Sequence, residues 1–161
     1  MNNQRSLYRL CNTPYLQSAC IQRLRLEWHI TGSMIEARLN PALTILKNGK
    51  VLVTGGGTSQ FLHSAELYDP STGTWTTTGS MYDERARHTA SLLQDGKVLV
   101  AGGSNFRRTL VDSAELYDPS TGTWTPTGTM NVARLLHVAT VLSDGKVLVV
   151  GGYGWYPTEY L

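Results

Sequence analysis

The chain has few charged residues and almost no excess of either sign. Only 16% of its 161 residues are charged, against about 25% in an average globular domain. The net charge of +2 leaves no basic stripe of the kind that binds nucleic acid. No apolar run approaches the roughly 20 residues of a membrane span, and the N-terminus lacks the apolar block of a secretory signal. These absences predict that neither nucleic acid nor a membrane is the partner, and they make the cytoplasm the default location.

Cysteine is nearly missing, and metal-binding patterns are missing too. The two cysteines, Cys11 and Cys20, fit neither a CxxC pair nor a zinc knuckle. We therefore expect free thiols in a reducing compartment, with a disulfide between them as the alternative. The four histidines form no ligand pair at a useful spacing: His29, His63, His88 and His137. The sequence predicts no metal and no cofactor.

Glycine, by contrast, is plentiful, and it recurs within an internal repeat. Three passages align without gaps, at residues 34–56, 81–103 and 130–152, so the repeat periods are 47 and 49 residues. The first two passages are followed by the same twelve residues, SAELYDPSTGTW, at 64–75 and 113–124. The two-residue difference in period lies in the loop after Gly-Gly, which is where a repeat protein usually accepts insertions.

Each repeat unit reads as four short strands. The first two strands flank an Asn-Gly or Asp-Gly pair, such as Asn48-Gly49, which predicts a type I′ hairpin turn. The second strand, Lys-Val-Leu-Val, is apolar on both faces and ends at Gly-Gly, as expected of a covered central strand. Ala-Glu-Leu-Tyr predicts the third strand, Asp-Pro-Ser-Thr-Gly a turn, and the tryptophan lies on the fourth strand.

This arrangement resembles the kelch repeat, which is one four-stranded blade of a β-propeller. The resemblance implies an all-β fold of kelch-type blades in an incomplete propeller, with about two full and two partial blades. It also implies that the double glycine ends the second strand and that the Tyr and Trp pack between blades. These structural roles fall on Gly55, Gly56, Tyr68, Trp75, Gly102, Gly103, Tyr117, Trp124, Gly151 and Gly152.

The predicted boundaries leave a partial blade at each side of the repeats. Residues 1–27 are expected to be a weakly ordered extension or a degenerate half-blade, and residues 28–161 to be the kelch-repeat segment. Within that segment we assign 28–40 to the last strand of a preceding blade and its linker, 41–78 and 88–127 to full blades, and 137–161 to a partial blade. Because propellers have 4–8 blades, three interpretations follow: a fragment of a larger propeller, self-association that completes a ring, or an open wedge on another protein.

The repeated carboxylates do not predict catalysis. Strand alternation separates Glu66 from Asp69, and Asp before Pro-Ser-Thr-Gly is a common turn starter, so the pair does not converge on one cleft. The same holds for Glu115 and Asp118. We therefore expect no catalytic residues and no enzyme in this chain.

Arginine and histidine recur at the entry to the first strand of each unit, at Arg38, Arg85, His88, Arg134 and His137. These side chains are candidates for lining a central channel and meeting an anion. The alternative is structural: arginines that bond loop carbonyls between blades, and histidines that satisfy a buried backbone group.

The variable loops after Gly-Gly carry the remaining candidates for partner binding: Phe61, His63, Asn105, Phe106, Arg107 and Arg108. Aromatic and arginine side chains are enriched at interface hot spots, although the two phenylalanines would also fit against a blade edge. The sequence therefore predicts a non-catalytic protein-interaction module. The alternative is part of a secreted kelch-like propeller, either a carbohydrate-binding one or a galactose-oxidase-like copper oxidase. The resemblance implies that such an oxidase needs histidine and tyrosine copper ligands and a Cys–Tyr link, and the repeats contain no cysteine. A gene remnant without function is the third interpretation.

Overall fold

The computed structural model describes residues 20–23, 27–107 and 109–154, and within them every regular element is a β-strand. No helix in these ranges is long and apolar enough to cross a membrane. The predicted free thiol of Cys11 and the last residues of the predicted partial blade, 155–161, fall outside the described residues. The all-β prediction is confirmed.

The two central repeat units each form a four-stranded antiparallel sheet, which we call blade 1 and blade 2. Blade 1 contains β3 (Ala42–Ile45), β4 (Val51–Thr54), β5 (Ala65–Asp69) and β6 (Thr74–Thr77), in that order. Blade 2 contains β7 (Thr89–Leu92), β8 (Val98–Ala101), β9 (Ser113–Asp118) and β10 (Thr123–Thr129). The predicted strand order of a kelch blade is therefore confirmed in both.

Two-stranded pieces flank the blades. On the N-terminal side, β1 (Cys20–Arg23) and β2 (Glu27–Ile30) form an antiparallel hairpin. On the C-terminal side, the third unit pairs β12 (Val138–Val141) with β13 (Val147–Val150), as the first two strands of a blade do. Two short strands, β11 (Arg134–Leu135) and β14 (Tyr153–Gly154), also pair with each other.

The turn between the first two strands of each blade differs from the predicted type I′ turn. Gly49 has a φ of 82°, but Asn48 is not among the residues with positive φ, whereas a type I′ turn requires positive φ at both positions. The Gly49 N–H donates to the Leu46 carbonyl, and the Asn48 Oδ1 accepts the Lys50 N–H at 3.0 Å. The type I′ prediction was wrong because the asparagine side chain orders a three-residue loop that ends in a left-handed glycine.

The hydrophobic core lies between the blades, on two faces that we name. The trailing face of a blade points toward the next unit, and the leading face toward the preceding one. The buried cluster combines the trailing face of blade 1 and the leading face of blade 2 with the linker residue Met81; its other members are Leu46, Leu52, Ala65, Val98, Val100, Tyr117 and Trp124. A blade therefore buries its apolar side chains only when its neighbour is in place.

The tyrosine and tryptophan of the repeated segment lie in this interblade contact. Tyr117 and Trp124 are cross-strand partners with ring centroids 5.0 Å apart. The Tyr117 hydroxyl hydrogen-bonds the Thr78 hydroxyl at 2.7 Å, and the Trp124 Nε1–H donates to the Gly79 carbonyl at 2.8 Å. Both partners belong to the segment that leaves blade 1, so the aromatic pair ties blade 2 to the unit before it.

Candidate functional site

The residues singled out by the sequence gather at one end of the strands. The Asn-Gly and Asp-Pro turns lie at the opposite end, because each joins strands at the end away from Gly-Gly. The Gly-Gly end holds the double glycines, the loops after them, and the linkers that enter each new blade. This end of the molecule is the candidate site.

Two buried arginine–glutamate pairs fix the linkers to the blades that follow them. Arg85 is fully buried, and its guanidinium donates to the Glu115 carboxylate at 2.8 Å and to the carbonyls of Gly102 and Ser113. The same carboxylate accepts the backbone N–H of Tyr82 at 2.7 Å. The Arg85 Nε has no hydrogen-bond partner among the described residues, but the other polar atoms of both side chains are hydrogen-bonded, so the pair holds the linker against blade 2.

Blade 1 repeats this arrangement with Arg38 and Glu66. The Arg38 guanidinium donates to Glu66 at 3.0 Å and to the carbonyls of Gly55 and Ser64. Glu66 also accepts the backbone N–H of Ile35 at 2.7 Å. The structure thus places both arginines in contacts with carbonyls and a carboxylate of their own blade, and both glutamates away from solvent.

The third arginine differs from the first two. Arg134 is half-buried and donates to the Gly151 carbonyl at 3.0 Å and, more weakly, to the Val132 carbonyl. Within residues 20–23, 27–107 and 109–154 it has no carboxylate in salt-bridge range. Among these described residues, Arg134 therefore shows the same repeat position without the buried glutamate that pairs with Arg38 and Arg85.

The histidines bridge neighbouring blades through threonine hydroxyls. The His88 Nε2 lies 2.7 Å from the Thr54 hydroxyl of blade 1, and the His137 Nε2 lies 3.0 Å from the Thr89 hydroxyl of blade 2. Burial, with the nearby Arg85 charge, lowers the pKa of His88 from 6.5 to about 3. Burial lowers the pKa of His137 as well. Both imidazoles are therefore neutral at neutral pH.

The aspartates that begin the Asp-Pro turns are also held by contacts within their own turns and with a neighbouring lysine. Asp69 accepts the Ser71 N–H at 2.9 Å and pairs with Lys50 at 3.2 Å. The hydrogen bonds from Ser71 lower the pKa of Asp69 from 3.8 to about 2. Glu66 and Asp69 point to different surroundings, so they do not form a general acid–base pair. No group of three His, Cys, Asp or Glu side chains in the described residues is arranged to hold a metal ion.

A ladder of backbone hydrogen bonds crosses the three units at this end. The Arg87 N–H donates to the Asn40 carbonyl, and the Leu136 N–H donates to the Arg87 carbonyl, both at 3.0 Å. These equivalent residues have φ values of 52°, 60° and 58°, in the left-handed region that non-glycine residues rarely adopt. The ladder fixes the backbone of Arg87 on both sides while its side chain stays exposed.

Beside Arg87 the loops border a partly open cavity of about 550 Å³, which we call the loop pocket. Phe61 and Phe106, from the variable loops of blades 1 and 2, meet edge to face with ring centroids 6.4 Å apart. The backbone N–H of Phe106 is held by the Glu84 carboxylate at 2.9 Å. The pocket is lined by Thr58, Ser59, Phe61, Arg87, Ser104, Phe106 and Leu135.

The other loop candidates lie around the pocket rather than in its lining. His63 and Arg107 are exposed, and Asn105 bonds within its own loop, where its Oδ1 accepts the Thr109 N–H at 3.0 Å. Arg108 falls outside the described residues. Sequence reasoning missed Arg87, because the equivalent positions carry Asn and Leu and so give no repeated signal.

Comparison with known protein families supports the repeat directly. The model described as the Kelch motif matches residues 42–82 and 85–131, which is more than half of the chain. A comparison with curated proteins finds no match. The two matched stretches contain the strands of blade 1 and blade 2, and with them Gly55, Gly56, Tyr68 and Trp75 of the first unit and their counterparts in the second. The chain belongs to the kelch-repeat family.

Proposed function

We propose that this kelch-repeat protein is a non-catalytic protein-interaction module whose partner binds at the loop pocket. Kelch repeats are commonly interaction modules, and the buried charges of this chain serve the scaffold rather than a reaction. The Arg85–Glu115 and Arg38–Glu66 pairs are covered by their own blades. The charged and aromatic side chains that remain exposed near the Gly-Gly end of the strands include Phe106, Arg87 and Arg107.

The loop pocket combines the features of an interface anchor site. Phe106 exposes 53% of its surface and borders a cavity large enough for one or more side chains. The guanidinium of Arg87 has no ion-pair partner within the described residues, although its backbone is fixed on both sides. Aromatic and arginine side chains are enriched at interface hot spots, and a backbone that is already fixed, as at Arg87, costs no further backbone entropy on binding. The matching partner segment presents an apolar side chain to the phenylalanines and a carboxylate to Arg87.

The observation that carries this proposal is the convergence of two blades on one pocket. Phe61 comes from the loop of blade 1, Phe106 from the loop of blade 2, and Arg87 from the linker between them. A surface assembled from two repeat units is specific to this pair of blades. It does not exist in an isolated repeat.

A peptide library panned against the folded protein tests the proposal. Peptides selected on the wild type are counter-screened against Arg87→Ala and Phe106→Ala. Each substitution is expected to weaken binding by about tenfold to a hundredfold, the range of a hot-spot residue that costs about 1.5–3 kcal/mol. Added salt is expected to weaken binding to the wild type more than to Arg87→Ala, because the partner carboxylate is screened.

Two control variants separate the pocket from its surroundings. Lys146→Ala removes an exposed charge at the opposite end of the strands and should leave binding unchanged. Arg107→Ala removes an exposed arginine that does not line the pocket, and it should have a smaller effect than Arg87→Ala. Peptides that bind Arg87→Ala and Phe106→Ala as tightly as the wild type would exclude the loop pocket as the partner site.

A further inference from the structure

Parts of the apolar faces that form the core also appear, uncovered, on the inner strands at both sides of the blade stack, although Val53 and Tyr68 on the leading face of blade 1 are buried. On the leading face of blade 1, Leu43 and Ile45 are 62% and 61% exposed. On the trailing face of the third unit, Val138 and Val150 are 66% and 52% exposed. Apolar patches of this kind on a sheet face indicate an interaction surface.

These two faces are the two halves of an interface that the molecule already contains. Val138 and Val150 occupy the repeat positions of Ala42 and Thr54, which are buried against blade 2. Leu43 occupies the position of Ala90, which packs against the core from the leading face of blade 2. The trailing face of one unit therefore meets the leading face of the next at a known geometry.

The polar contacts at the internal junctions identify which unit fits. Where blade 1 meets blade 2, His88 on the leading side needs the Thr54 hydroxyl on the trailing side, and His137 needs Thr89 in the same way. Without that hydroxyl, a buried imidazole nitrogen would lose its partner at a cost. A unit that carries this histidine is therefore a poor match for a trailing face without threonine.

The third unit has no such hydroxyl, and blade 1 has no such histidine. Val138 and Val150 are cross-strand partners at the two positions that supply threonine in the earlier blades. Pro41 stands in blade 1 at the position of His88 and His137. Where the internal junctions have a histidine–threonine hydrogen bond, the trailing face of the third unit has two valines and the leading face of blade 1 has a proline. These two exposed faces are therefore more complementary to each other than either is to a face from an internal junction.

We infer that the trailing face of the third unit docks on the leading face of blade 1 in a second copy of this chain, head to tail. The inner strands β12 and β13 of one copy lie beside Leu43 and Ile45 of the other. Strand β13 pairs on one edge within the described residues, whereas β4 and β8 pair on both. The partner's β1–β2 hairpin precedes its own blade 1 and lies at that open edge.

The stoichiometry follows from counting blade positions. Counted over residues 20–23, 27–107 and 109–154, each copy supplies two full blades, one inner pair of strands and one outer hairpin, and the last two complete one blade across the junction. Two copies then give six blade positions, inside the usual range of about 4–8, and three copies would exceed it. The complex is a two-fold dimer with two equivalent head-to-tail junctions.

Sedimentation equilibrium of the 161-residue protein over about a thousandfold range of concentration tests this inference. The expected result is a species of twice the 17.7 kDa chain mass. Leu43→Lys and Val150→Lys each place a charge in both junctions and should raise the dissociation constant at least about a hundredfold. Tyr82→Lys, an exposed aromatic on a linker, is the matched control and should leave the mass unchanged.

Mixing the two lysine variants separates head-to-tail docking from symmetric face-to-face docking. In the mixture, one junction carries both lysines and the other carries neither, so dimers should partly return. If like faces paired instead, one of the two variants would still dimerise alone and mixing would add nothing. A wild-type chain that stays monomeric throughout the concentration range would overturn the inference, as would dimers that survive both lysine variants.

Gly128→Val gives a test that does not alter an apolar face. At the internal junction, a Cβ on the equivalent Gly79 would lie 2.1 Å from the Gly122 carbonyl of the next blade, whereas nothing lies within 4 Å of a Cβ on Gly128. The variant should therefore fold normally and unfold at the wild-type temperature as a dilute monomer. In concentrated solution, its dissociation constant should rise about tenfold or more, because the partner's hairpin approaches this position.

Discussion

Removing Arg85 should destabilise the protein far more than removing its half-buried counterpart Arg134. In Arg85→Ala, the Glu115 carboxylate stays buried with only backbone N–H partners, and a buried pair broken on one side typically costs about 3–5 kcal/mol. Arg134→Ala loses one strong hydrogen bond to a carbonyl and leaves no carboxylate unpaired among the described residues. We therefore expect it to lower the free energy of unfolding by about 1–2 kcal/mol. The difference is a large part of the roughly 5–15 kcal/mol that stabilises a typical domain.

Urea unfolding monitored by tryptophan fluorescence measures both variants, since Trp124 is buried between the blades. For a chain of this size, a loss of 3–5 kcal/mol also lowers the melting temperature by roughly 6–20 °C. The double variant Arg85→Met/Glu115→Leu should lose at least about 1.5 kcal/mol less unfolding free energy than the sum of its two single variants. The reason is that the double variant leaves no buried charge unpaired. Equal losses for Arg85→Ala and Arg134→Ala would refute the reasoning.

Two further outcomes follow from the junctions between blades. Gly79→Ala should lower the stability by about 1–3 kcal/mol because its Cβ forces the blades apart, while Gly128→Ala should leave the stability unchanged. Thermal unfolding of dilute protein compares the two variants. Equal losses of stability would contradict the close approach of the blades at Gly79. Lowering the pH from 7 to 5 should remove about 2 kcal/mol through His88 alone, because the unfolded chain takes up a proton near pH 6.5 and the folded chain does not until about pH 3. His137 acts in the same direction, and His88→Gln should flatten the pH dependence of the urea midpoint; an unchanged slope would contradict it.

The strand order of the blades could be predicted because repetition reveals it. Fixed spacing around Gly-Gly, Tyr and Trp predicts four strands per unit, and each falls within the sheet that the structure shows. The hairpin turn was predicted wrongly because Asn-Gly is compatible with more than one loop length. The choice depends on whether the Asn48 side chain bonds the backbone of Lys50, which the dipeptide alone does not reveal.

The candidate site was less predictable because its parts are distant in sequence. Arg38 and Glu66 recur at nearly constant separation, so their pairing had a readable signal. Arg87 had none, since its position in the loop pocket depends on a left-handed backbone and on two phenylalanines from other loops. Periodicity identifies what repeats. A binding pocket depends on what differs between repeats, and only the assembled blades bring those differences together.

The histidine contacts have a consequence for anyone who would engineer consensus repeats from this sequence. Thr54 and Ala42 face each other across two strands, and Ala101 and Thr89 do the same in blade 2 with the hydroxyl on the opposite strand. An alignment of the units column by column would record two unrelated variable positions. A consensus that chooses each column independently can place two hydroxyls, or none, next to the histidine. A designer should therefore conserve the two facing residues together, with one hydroxyl between them at each junction.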